Sequence, residues 1–67
     1  MLMIDLKPLG YNVAFDACKL VAVQLEGDGN SLVLSFSGSQ MMRLTKENPS
    51  EADLPEVYDF ILREMGK

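Results

Sequence analysis

Residues 21–37 read VAVQLEGDGNSLVLSFS, and the alternation inside this stretch decides the fold class. Val21, Val23 and Leu25 fall on one side of an extended chain and Ala22, Gln24 and Glu26 on the other, because successive strand side chains point to opposite faces. Gly27-Asp28-Gly29-Asn30 follows, a run that accepts positive φ at little cost, as a hairpin loop requires. Leu32, Leu34 and Phe36 then alternate with Ser31, Val33, Ser35 and Ser37. Strands joined this tightly must be antiparallel, since parallel pairing needs a long crossover.

The pattern extends in both directions. Ser37-Gly38-Ser39 supplies a second tight connection, and residues 40 to 45 form a third strand with Met42 and Leu44 toward the core. Upstream, Tyr11, Val13 and Phe15 alternate with Asn12, Ala14 and Asp16. Before them Leu2, Ile4 and Leu6 alternate with Met1, Met3, Asp5 and Lys7, until Pro8-Leu9-Gly10 interrupts the run.

The chain then changes period. Leu54, Val57, Tyr58, Ile61, Leu62 and Met65 recur at helical spacing and form one apolar stripe. Asp53 and Glu56 stand at capping-box spacing, Pro55 falls in the opening turn, and Gly66 follows the last apolar residue. These signals predict an α+β domain spanning 1–67. Residues 1–46 build a small antiparallel β-meander of four to five strands, and residues 47–67 provide a connector and a single C-terminal α-helix covering one face.

Charge divides along the same boundary. Lys7, Lys19, Arg43 and Lys46 balance Asp5, Asp16, Glu26 and Asp28 in the first part. Glu47, Glu51, Asp53, Glu56, Asp59 and Glu64 outnumber Arg63 and Lys67 in the second, which accounts for the whole net charge of −4. Carboxylates near a helix start are favoured by its macrodipole, so much of this acidity has a structural cause. The six bases are scattered and outnumbered. Direct nucleic-acid binding, which depends on clustered Lys and Arg, is therefore not expected.

Catalytic and metal chemistry find little support. The chain has no histidine and a single cysteine, which removes the commonest general base, an internal disulfide and the usual zinc-ligand sets. Cys18 has Lys19 beside it but no orienting base, and it reads as a small buried apolar side chain rather than a nucleophile. The loop at 27–30 lacks the ligand series of a calcium site and is followed by a strand, not by the helix a phosphate cradle needs. No catalytic residue, cofactor or metal is assigned.

Compartment and partners follow from composition. A lone cysteine suits a reducing, cytoplasmic setting. The start of the chain, Met1 to Lys7, lacks the basic opening and long apolar run of a secretory signal, and no segment approaches the length of a membrane span. At 67 residues the core is small while 48% of the chain is apolar. Such scaffolds seek help from disulfides, metals or oligomerisation, and here self-association is what remains.

The expected function is a non-enzymatic protein-interaction module, a small homodimeric accessory or regulatory protein. Its candidate interface is Phe60, which lies outside the helix stripe on the wheel, together with Met41, Val33 and Ala22 on the sheet face opposite Met42. The alternative is an acidic inhibitor or nucleic-acid mimic that occupies a basic groove on a partner enzyme through Glu51, Asp59 and Glu64. A third reading places a small-ligand or thiol site near Cys18.

Overall fold

The structure, a computed structural model, describes residues 2–66. Met1 and Lys67, which enter the strand pattern and the charge count above, lie outside the described residues. The fold is α+β, with five antiparallel strands and one C-terminal α-helix among the described residues. The strands divide into two sheets, which corrects the expectation of one continuous meander.

The first sheet is a hairpin of β1 (Met3–Asp5) and β2 (Ala14–Asp16), with Ile4 opposite Phe15. The Ala17 N–H donates to the Leu2 carbonyl at 2.8 Å and the Leu6 N–H to the Val13 carbonyl at 2.9 Å, extending the pairing beyond both ends. The tip is a 3-10 turn at Lys7–Leu9, with Pro8 in its opening positions and the Asp5 carboxylate accepting from the Lys7 N–H. The alternating run at 11–16 therefore yields a strand only at its end, yet Tyr11 and Phe15 are both buried.

A second 3-10 turn at Ala17–Lys19 separates the two sheets. Asp16 caps it, its carboxylate accepting from the Cys18 N–H at 2.9 Å. A helical turn redirects the chain where a hairpin would have returned it, so β2 does not pair with the strand that follows.

The second sheet contains β3 (Leu20–Glu26), β4 (Ser31–Phe36) and β5 (Gln40–Leu44), in that order. Val23, Leu34 and Met42 stand in one row and Leu25, Leu32 and Leu44 in the next, on the inner face. Val21 departs from its expected place there. The register shifts between Leu20 and Ala22, so Val21 is the extra residue of a β-bulge and is 70% exposed. Leu20, opposite Phe36, takes the buried position instead; a one-residue bulge reverses facing on either side of it.

The helix α1 (Leu54–Met65) packs on β3 and β4. Its buried residues are Leu54, Val57 and Ile61, with Tyr58 and Phe60 half-buried beside them. Leu62 and Met65, assigned to the apolar stripe, are exposed. The stripe implied by six apolar positions is wider than the narrow sheet beneath it, so the helix settles with Val57 and Ile61 at the centre of contact. Together α1 and the β1–β2 hairpin cover the inner face. Phe15 meets Phe36 edge to face at 5.5 Å, and Ile4, Leu6, Leu32, Leu34, Val57 and Ile61 are essentially inaccessible.

Asp53 stands at the N-cap, but its side chain makes no capping bond. It accepts instead from Lys46 Nζ at 2.7 Å, tying the end of the sheet region to the helix start. The capping box with Glu56 does not form. A lysine eight residues from the helix start within the same connector offers a charged donor that outcompetes the helix N–H groups.

Candidate functional site

Helix and hairpin both lie against the inner face of β3–β4–β5, leaving the outer face without a covering element. Register places Ala22, Ser35 and Met41 in one row of that face and Gln24, Val33 and Arg43 in the next. The sheet therefore brings together Met41, Val33 and Ala22, as alternation required. Their environments differ. Met41 is 70% exposed, as is Val21 on the neighbouring bulge, whereas Val33 is only 4% exposed.

The difference at Val33 has a local cause. Val33 occupies the central strand, directly between Gln24 and Arg43. Arg43 on β5 donates from Nη1 to Glu26 Oε1 on β3 at 2.7 Å, so the ion pair reaches from one edge strand to the other past Val33. Both side chains remain substantially exposed, and a pair of this kind contributes little net stability. Its geometric effect is larger, because the arginine stem shields apolar surface while its charge stays in water.

Phe60 does not join this surface. It is half-buried against the core on α1, on the opposite side of the sheet from Met41. A wheel alone leaves a broad buried face and a projecting ring equally open; packing against the core resolves it.

The acidic residues are also dispersed. Asp59 and Glu64 are five positions apart on one helix, about 140° around its axis. Glu51 belongs to the connector, where its Oε1 accepts from the Glu47 N–H at 2.6 Å and from the Asn48 N–H at 2.8 Å. These two bonds, with the Lys46 charge adding to them, hold the Glu51 carboxyl below its ordinary value. The next residue, Ala52, donates its N–H to the Leu9 carbonyl at 2.8 Å and accepts from the Tyr11 hydroxyl at 2.8 Å. Burial, followed by the Glu51 charge, raises the Tyr11 hydroxyl above its ordinary value. Hydrogen bonding to Asp53 raises the Lys46 ammonium. The connector is thus stapled to the N-terminal hairpin, and Glu51 and Asp53 serve that staple.

The sign of the resulting pH dependence follows from the lowered Glu51 pKa. A carboxyl depressed in the folded state stabilises it at neutral pH, and that contribution is lost as pH falls through the folded value. Glu51→Gln should flatten the loss of stability on acidification between about pH 5 and pH 3, relative to the parent. Urea denaturation midpoints across that interval measure it; identical slopes would show that the two amide bonds contribute nothing to acid sensitivity.

Two open clefts stand out among the described residues. One, of about 430 Å³, lies between the β3–β4 loop and the helix start and is lined by Asp28, Asn30, Lys46, Asp53 and Pro55. The other, of about 370 Å³, lies between the two sheets, with Phe15, Phe36 and Met42 as apolar walls and Lys19 and Asp16 among its polar lining. Cys18 is a free thiol and is exposed, contrary to its reading as a buried side chain; its 3-10 turn carries it outward. Among the described residues no group of three or more His, Cys, Asp or Glu side chains is placed to hold a metal ion. No helix among them is long and apolar enough to cross a membrane.

No family model, curated protein or solved structure matches this chain.

Proposed function

We propose that this chain is a non-enzymatic protein-interaction module that forms a homodimer and acts as an accessory or regulatory subunit through the sheet β3–β4–β5. One observation supports the reading above others: Met41, on the edge strand β5, is 70% exposed on the side of the sheet that neither helix nor hairpin covers. Ala22 lies in the Met41 row. Apolar groups gathered on an uncovered face are characteristic of contact surfaces. A reducing, cytoplasmic setting fits the exposed thiol of Cys18, which an oxidising compartment would leave open to exchange.

Sedimentation equilibrium through the micromolar range tests the reading. The parent is expected to be a dimer, and Met41→Lys is expected to weaken it strongly, because it places a charge where water must leave. Leu62→Glu removes exposed apolar surface from the helix instead and should leave the dimer intact. A monomeric parent, or a dimer lost only with Leu62→Glu, would overturn the proposal.

A further inference from the structure

We propose that two copies join edge to edge through β5, antiparallel about a two-fold axis at Met42, so that the three strands of each become one six-stranded sheet. The inference rests on the dimer reading above and specifies how the dimer is made.

Four free edges are available, and three are poorly suited. β1 and β2 are each three residues long. β3 is longer, but the bulge at Val21 interrupts its register, and bulges are a standard means of blunting an edge. β5 pairs with β4 without any shift from Leu44 to Gln40. Outside that ladder, residues 40–46 make no backbone-to-backbone hydrogen bond among the described residues. A regular strand with one unpaired side presents a row of N–H and C=O groups ready to pair with another chain.

Side chains and charge favour a second copy as the occupant. Pairing about Met42 sets Met41 of each copy directly across from Arg43 of the other on the outer face, a cross-strand pair. Arg43 keeps its own Glu26 at 2.7 Å and Lys46 its own Asp53 at 2.7 Å, so the seam carries no uncompensated charge. Of the surplus acids, Glu56, Asp59 and Glu64 lie on α1, which packs on β3 and β4. On the inner face Met42 is half-buried at the mouth of the 370 Å³ cleft, with Gln40 and Phe36 beside it. The second copy brings its own Met42 to that point and closes the cleft from the side. Methionine suits a seam where two identical flexible side chains must accommodate each other.

The test combines sedimentation with amide hydrogen exchange on the full chain at several concentrations. The inference expects a dimer in which residues 40–44 exchange at least about tenfold more slowly at high concentration than at low, while residues 20–26 of the β3 edge do not change. Met41→Lys, a charged residue of the kind that guards natural edges, should raise the dissociation constant by at least about tenfold. Its position is 70% exposed, and an unchanged urea midpoint at low concentration would show that the monomer still folds. A dimer whose 40–44 amides exchange at one rate at every concentration would overturn the edge pairing and leave dimerisation standing. A monomer at every concentration would overturn both.

Discussion

Gly10→Ala is expected to remove about 2–4 kcal/mol of folding stability, for two separable reasons. Gly10 ends the first 3-10 turn at φ +96°, a region that any residue with a Cβ enters at a cost of about 1–2 kcal/mol. A Cβ there would also stand 2.9 Å from the Glu51 Cα and 3.3 Å from the Ser50 carbonyl oxygen, so backbone and not merely a side chain would have to move. The obstruction lies where the connector is stapled to the hairpin through Ala52. Gly38→Ala isolates the first reason, because Gly38 has φ +83° with nothing within 4 Å of a built Cβ. Urea denaturation of both variants should show Gly38→Ala losing about 1 kcal/mol and Gly10→Ala clearly more. Equal losses would mean that the connector yields to the added methyl group.

Leu6→Ala should be comparably severe. Leu6 is fully buried, yet it sits near the start of the chain just after a three-residue strand. Truncating a fully enclosed leucine costs about 2–5 kcal/mol, combining lost transfer energy with the cavity left behind. For a domain of this size that is a large share of total stability and should lower Tm by at least about 10 °C. Leu2→Ala is the internal control: Leu2 is 41% exposed, and its truncation should cost under about 1 kcal/mol. A small effect at Leu6 would show that the β1–β2 hairpin is dispensable to the core. Calorimetry or circular dichroism during heating measures both.

The strength of these effects follows from the density of long-range ties in a short chain. Ala52 bonds with both its N–H and its carbonyl to residues some forty positions earlier, and Phe15 packs on Phe36. Hairpin, connector and helix are therefore held as one cooperative unit. Loosening any of these ties exposes the inner face of the three-stranded sheet. The outer face depends on none of them, which is why Met41→Lys is a suitable probe of association rather than of folding.

Much of the site's geometry was legible in advance because a strand has a strict period of two. That period alone puts Met41 opposite in facing to Met42, and Val33 opposite to Leu32 and Leu34, so the row of Ala22 with Met41 needed only the hairpin register to become real. It could not foretell the bulge at Val21. The apolar residues Leu20 and Val21 are adjacent, either one can occupy the buried place opposite Phe36, and the choice depends on what Phe36 and the hairpin leave open. Nor could it foretell the burial of Val33, which arises from its position between two flanking strands and from an arginine reaching across to Glu26.

The helix divides in the same way. Its limits were determined locally, by Pro55 in the opening turn and Gly66 at the other end, since those residues act on the backbone within a single turn. Its rotation was not. Six apolar positions on the wheel allow several faces, and contact with a narrow sheet chose Val57 and Ile61 over Leu62 and Met65. The roles of Asp53 and Glu51 were likewise decided in three dimensions, where Lys46 and two connector amides offered stronger partners than the helix start. By itself, then, the sequence determined the strands of the three-stranded sheet, the turns that join them, the helix limits and the two-faced character of the sheet, because each depends on neighbours a few residues apart. Only the tertiary structure decided the split into two sheets, the bulge, the helix rotation and the bare edge of β5, because each results from segments competing for the same small core.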